Sequence, residues 1–102
     1  MEVWREEQFS RAIQNGETFC FYLYTPLCGT CHVASKMLGV VEELLPGLPM
    51  GKADLNYMPG TAEQFEVESV PCLLLFKDGR LLQKIYAFQS VPFLYDTLKH
   101  SF

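Results

Sequence analysis

Two cysteines three residues apart, Cys28 and Cys31, stand where a strand-like run meets a helix-like run, and few architectures accept that placement. The run Phe19-Cys20-Phe21-Tyr22-Leu23-Tyr24 reads as a strand. Residues 32–45 read as a helix. Val33, Met37, Val41 and Leu44 recur there at near-helical spacing, with Ala34, Leu38 and Leu45 beside them, until Pro46-Gly47 stops the pattern. A Cys-x-x-Cys between such elements puts its first sulfur at a helix N-terminus. Orphan N–H groups and the helix dipole favour a thiolate there. The thiolate is the nucleophile of disulfide exchange, so this arrangement suits reversible redox chemistry better than a structural staple.

The rest of the chain alternates without linkers or repeats. Residues 3–14 read as an amphipathic helix with Phe9, Ala12 and Ile13 apolar, ended by Asn15-Gly16. Residues 50–56 read as a second strand, and Pro59 opens a short helix to about residue 67. Residues 72–76 form an apolar run of buried-strand type. Lys77-Asp78-Gly79-Arg80 is a hairpin turn, because Asp-Gly supports positive φ, and residues 81–87 return as a strand. Ser90 can cap a last helix with Pro92 in its first turn and Phe93, Leu94 and Leu98 on its buried side. The order αβαβαββα implies an α/β fold, a mixed four-stranded sheet flanked by helices. The 102 residues allow one domain, 1–102, with one core, and eight Phe, five Tyr and one Trp can fill it. Phe19, Phe21, Phe76, Phe88 and Phe93 read as core, not as a cofactor box, and no cofactor is expected.

Charge and hydropathy exclude other classes. A net charge of −4 with no basic run argues against a nucleic-acid partner. The acidic start Met1-Glu2-Val3-Trp4-Arg5-Glu6-Glu7 lacks the apolar segment of a signal peptide, and no apolar stretch approaches the ~20 residues of a membrane span. A cytoplasmic location without membrane association is therefore expected. There a Cys-x-x-Cys cycles or binds metal rather than stapling the fold. The metal reading must find four ligands for tetrahedral zinc, and only Cys20, Cys72 and His32 remain as candidates beside the pair. Cys28-Gly29-Thr30-Cys31-His32 also matches the haem c attachment pattern, but that chemistry needs export and a distal ligand.

Two segments resemble thioredoxin. One is Leu27-Cys28-Gly29-Thr30-Cys31; the other is Val70-Pro71-Cys72-Leu73-Leu74-Leu75-Phe76-Lys77-Asp78-Gly79, which looks like that family's cis-proline strand and following hairpin. Pro59-Gly60-Thr61-Ala62 matches the start of the family's second helix, and Lys52 falls where the family usually has a lysine. The resemblance covers nearly the whole chain. It implies the thioredoxin fold with spatial strand order 2-1-3-4, the family's extra first strand being missing or reduced to the few residues before the first helix. It implies a thiol–disulfide oxidoreductase in which Cys28 attacks a disulfide and Cys31 resolves the mixed disulfide. Leu27, Gly29, Thr30, Val70 and Pro71 would contact substrate, with the Val70-Pro71 bond cis. Disulfides of proteins or small molecules would be the substrates of a monomer, and a thioredoxin reductase the electron donor.

The departures from the family pattern matter as much. Leu27 replaces the usual Trp, Thr30 the usual Pro, Pro26 a polar residue, and Lys36 the proline that kinks the long helix. The family's buried acid is Tyr22, whose phenol, with a pKa near 10, cannot accept a proton as an anion at neutral pH. It could still donate to a sulfur, oriented by Lys52. The glycine expected near the groove is Tyr86, which narrows or reshapes it. His32 could tune thiol acidity or simply face solvent; Cys72 could sit near the site or be a small core thiol; Lys52 could partner Tyr22 or be solvated. The competing function is a thioredoxin-fold binding module with vestigial or regulatory thiols.

Overall fold

The computed structural model describes residues 1–102. It contains β1 Glu2–Val3, α1 Glu6–Gln14, β2 Phe19–Tyr24, α2 Gly29–Leu44, β3 Met50–Asp54, α3 Pro59–Gln64, β4 Cys72–Lys77, β5 Arg80–Ile85 and α4 Val91–Ser101, with a 3-10 turn at Leu55–Tyr57. One five-stranded sheet runs in the order β1-β3-β2-β4-β5. β2 is parallel to β3 and antiparallel to β4, and β4 is antiparallel to β5.

The four expected strands take the expected spatial order, and the sheet is corrected from four strands to five. The added strand is β1, where Glu2 pairs with Gly51 and Val3 with Lys52. It takes only Val3 from the residues assigned to the first helix, which begins at Glu6, and is the family's first strand in the reduced form the resemblance allowed. Trp4 explains the edge: a Cβ on Gly51 would run into its indole, so glycine lets the ring lie on β3. β3 ends at Asp54 rather than residue 56, because the Asp54 carboxylate accepts the Asn56 N–H at 2.9 Å and turns the chain. α3 stops at Gln64 and β5 at Ile85, each short of its expected end.

Both faces of the sheet are covered. Alternation along β2 sends Cys20 and Tyr22 to the face packed by Ala34, Leu38 and Val41 of α2 and Leu94 and Leu98 of α4. Phe19, Phe21 and Leu23 face the other way, onto Trp4 and Phe9 and Ala12 of α1. That layer is aromatic: Phe9 stacks on Phe21 with centroids 4.3 Å apart, and Phe19 on Phe76 at 4.8 Å. Phe93 is only half-buried, unlike Leu94 and Leu98. The turn between β4 and β5 places Asp78 at φ 53° and Gly79 at φ 77°, the left-handed pair a tight hairpin requires. With Lys36 in place of a proline, α2 runs unbroken for 16 residues from the cysteine pair.

Candidate active site

β2 delivers the chain to the top of the sheet and α2 starts there, so the cysteine pair sits at the junction. Cys28 is the N-cap of α2. Its sulfur accepts the Cys31 N–H at 3.2 Å, and the Thr30 hydroxyl lies 3.3 Å away. These are the donors that would hold a thiolate. Cys28 and Cys31 are joined as a disulfide with Cα atoms 5.2 Å apart. Cys31 is buried, whereas Cys28 is half-buried beside Leu27, which is 99% exposed. Gly29, Thr30 and His32 are exposed as well.

The loop before β4 meets this helix end. The Val70-Pro71 bond is cis, and the Val70 carbonyl oxygen lies 3.9 Å from the Cys28 sulfur. Thr30, Val33 and Met37 of α2 face Pro71 and Tyr86 across a cleft of about 370 Å³. Tyr86 lies just beyond β5, and its hydroxyl accepts the Glu68 N–H at 3.2 Å.

Beneath the pair, Tyr22 is fully buried, and its hydroxyl donates to the Cys31 carbonyl oxygen at 2.7 Å. Its partner is therefore a backbone oxygen, not a sulfur. Burial pushes the phenol above its ordinary value, and the nearby Ser35 hydroxyl opposes that in part. Lys52 pairs with Tyr22 in the β2–β3 register, but its ammonium lies 5.8 Å from the centroid of the Tyr24 ring, and it is half-buried. Lys52, His32 and Ser35 line a second cleft with Cys31, of about 230 Å³. Sequence reasoning passed over Ser35, although its spacing of four from Cys31 put both on one helix face.

The other two cysteines lie apart from this chemistry. Cys20 packs under α2 and Cys72 on the opposite face of the sheet, both buried. Burial pushes their thiols up to about 12 and about 11 respectively, the Tyr86 hydroxyl and Lys84 ammonium lowering Cys72 in part. No three His, Cys, Asp or Glu side chains converge as a metal set would.

A thioredoxin family model matches residues 1–99. The chain belongs to the thioredoxin family. Among its relatives, Thioredoxin-like protein YusE of Bacillus subtilis is 49% identical over 83 residues, covering 81% of this chain and 78% of that protein. Thioredoxin of Staphylococcus haemolyticus is 38% identical over 101 residues, covering 93% and 92%. A mutant thioredoxin from Halobacterium salinarum superposes with a TM-score of 0.84 at 20% identity, over 98% of this chain and 88% of that one, and shares the fold. This thioredoxin-family protein is a thiol–disulfide oxidoreductase, with its Cys-x-x-Cys closed as a disulfide. It has no helix long and apolar enough to cross a membrane.

Proposed function

We propose that Cys28 is the attacking thiol, Cys31 the resolving one, and that the protein reduces disulfides of proteins or small molecules. The observation that carries this reading is the unequal setting of the two sulfurs. Cys28 caps α2 within reach of the Cys31 N–H and the Thr30 hydroxyl, while Cys31 is buried behind it. The Cys28 thiolate attacks one sulfur of the substrate. A Cys28–substrate disulfide forms and the first substrate thiolate leaves. Cys31 then loses its proton and attacks the Cys28 sulfur. The Cys28–Cys31 bond forms, the mixed disulfide breaks, and the second substrate thiolate leaves. Two electrons pass from the dithiol to the substrate, and both substrate thiolates take up protons.

Leu27, Gly29, Thr30, Val70 and Pro71 form the surface a substrate meets. Four are supported by exposure or by contact: Leu27, Gly29 and Thr30 stand out from the helix end, and the Val70 carbonyl oxygen adjoins the Cys28 sulfur. An extended polypeptide laid beside Cys28 can pair with the Val70 backbone, as a strand pairs with a sheet edge. In this reading the protein is a cytoplasmic monomer, its disulfide is returned to the dithiol by a thioredoxin reductase, and His32 and Lys52 line the cleft through which the Cys31 proton leaves. Reduction of insulin by the pre-reduced protein tests the enzyme against the binding-module alternative. Wild type converts insulin to its free chains at one disulfide per dithiol, and Cys28→Ser converts none. Binding of insulin without reduction would assign the groove to recognition alone.

A further inference from the structure

The segment between α3 and β4 brings Val70 to Cys28, and its own backbone hydrogen bonds tie only residues 65–67 back to α3, leaving residues 68–70 without one. α3 has six residues and ends in a left-handed cap: Glu66, at φ 53°, donates its N–H to the Glu63 carbonyl oxygen at 3.3 Å, and the Val67 N–H reaches the Ala62 carbonyl oxygen at 2.9 Å. Further holding groups come from the end of β5 and the residue just past it. Lys84 Nζ donates to the carbonyl oxygens of Phe65 at 3.0 Å and Glu66 at 2.9 Å, which satisfies the free C-terminus of α3 with a cation. Two residues on, the Tyr86 hydroxyl accepts the Glu68 N–H. The ring of Tyr86 meanwhile faces Pro71 across the cleft. Residues 84 and 86 thus clasp the segment at three points, from Phe65 to Glu68.

We propose that Tyr86, with Lys84, is a positioning residue that holds segment 65–70 so that the Val70 backbone stands ready for an extended polypeptide disulfide. The proposal rests on Cys28 being the attacking thiol. A segment ordered in advance costs less to order when substrate binds, so its loss falls on substrate binding rather than on sulfur chemistry. A small aromatic disulfide needs Cys28 but little of the Val70 backbone, whereas insulin presents chain on both sides of its disulfide. The clasp therefore sets the preference for polypeptide over small disulfides.

Single turnovers of pre-reduced Tyr86→Phe, quenched in acid, test this with insulin and with dithiobis(nitrobenzoic acid). The insulin-to-small-disulfide ratio of rate constants is expected to fall about fivefold, the size of one neutral hydrogen bond. The fall is carried by the half-saturating insulin concentration and not by the limiting rate. Lys84→Met shifts the ratio the same way. A readout independent of activity uses the oxidised protein, in which only Cys20 and Cys72 are free. Cys72 follows Pro71 and lies by Tyr86 and Lys84, so a loosened segment exposes it to a maleimide ahead of Cys20. An unchanged ratio in both variants, an equal loss on both disulfides, or labelling of Cys20 and Cys72 together overturns the proposal. A wild-type protein that reduces neither disulfide would instead defeat the reading of Cys28, a result distinct from a lost ratio.

Discussion

Tyr22 carries the clearest single-residue consequence. Strand alternation told which face of β2 it occupies, but not which atom its hydroxyl meets. That atom is the Cys31 carbonyl oxygen, so the phenol braces the first turn of α2 and spends its proton on the backbone. With burial raising its pKa further, it cannot accept the Cys31 proton at neutral pH. Tyr22→Asp is expected to release the mixed disulfide faster at neutral pH, because a carboxylate can take that proton. The same change should cost roughly 3 kcal/mol in urea unfolding, from the lost ring and an unpaired polar group. Burial raises the introduced carboxyl's pKa in the folded state above its unfolded value. The native state then binds the extra proton, so the cost grows as pH rises from about 4 towards neutrality. Stopped-flow release and unfolding at two pH values check both. A folded variant that releases no faster would mean that proton transfer from Cys31 does not limit turnover.

At the scale of elements, legibility followed how much of the signal was local. β2 and β4 are continuous apolar runs bounded by breakers, and Ser90 caps α4 by accepting the Phe93 N–H at 3.2 Å. Such features are written in a few neighbouring residues. β1 is not. Its two residues are exposed and carry no alternation, and pairing with β3, nearly 50 residues away in register, is what makes them a strand. The role of Lys84 was equally hidden, because its partners are backbone carbonyls 18 and 19 residues back, and a lysine in a hairpin strand reads as solvated. Gly51 tests the account of the edge. A Cβ there enters the Trp4 ring, so Gly51→Ala should destabilise the fold by about 1–3 kcal/mol, measured by urea unfolding. An unaffected midpoint would mean that Trp4 is free to move and that β1 is held by its backbone pairs alone.

At the scale of the molecule, the sheet and α2 do one thing together: they set one sulfur at a surface and its partner one residue-turn behind it. The fold class, the order of the four long strands and the place of the Cys28–Cys31 pair were legible because a strand, a Cys-x-x-Cys and a helix follow one another directly. The surroundings that distinguish this family member depend on contacts across the fold: Tyr22 on a carbonyl, Lys52 over Tyr24, and Tyr86 on Glu68. They change how the pair is held, while leaving the asymmetry between its sulfurs in place. That asymmetry is the central claim, and trapping measures it directly. Cys31→Ser, reduced and exposed to a protein lysate, should accumulate covalent mixed disulfides through Cys28, since nothing remains to resolve them, and dithiothreitol should release them. Cys28→Ser should accumulate almost none. Equal capture by the two variants, or linkage mapped to Cys72 or Cys20, would contradict the assignment of Cys28 as the attacking thiol.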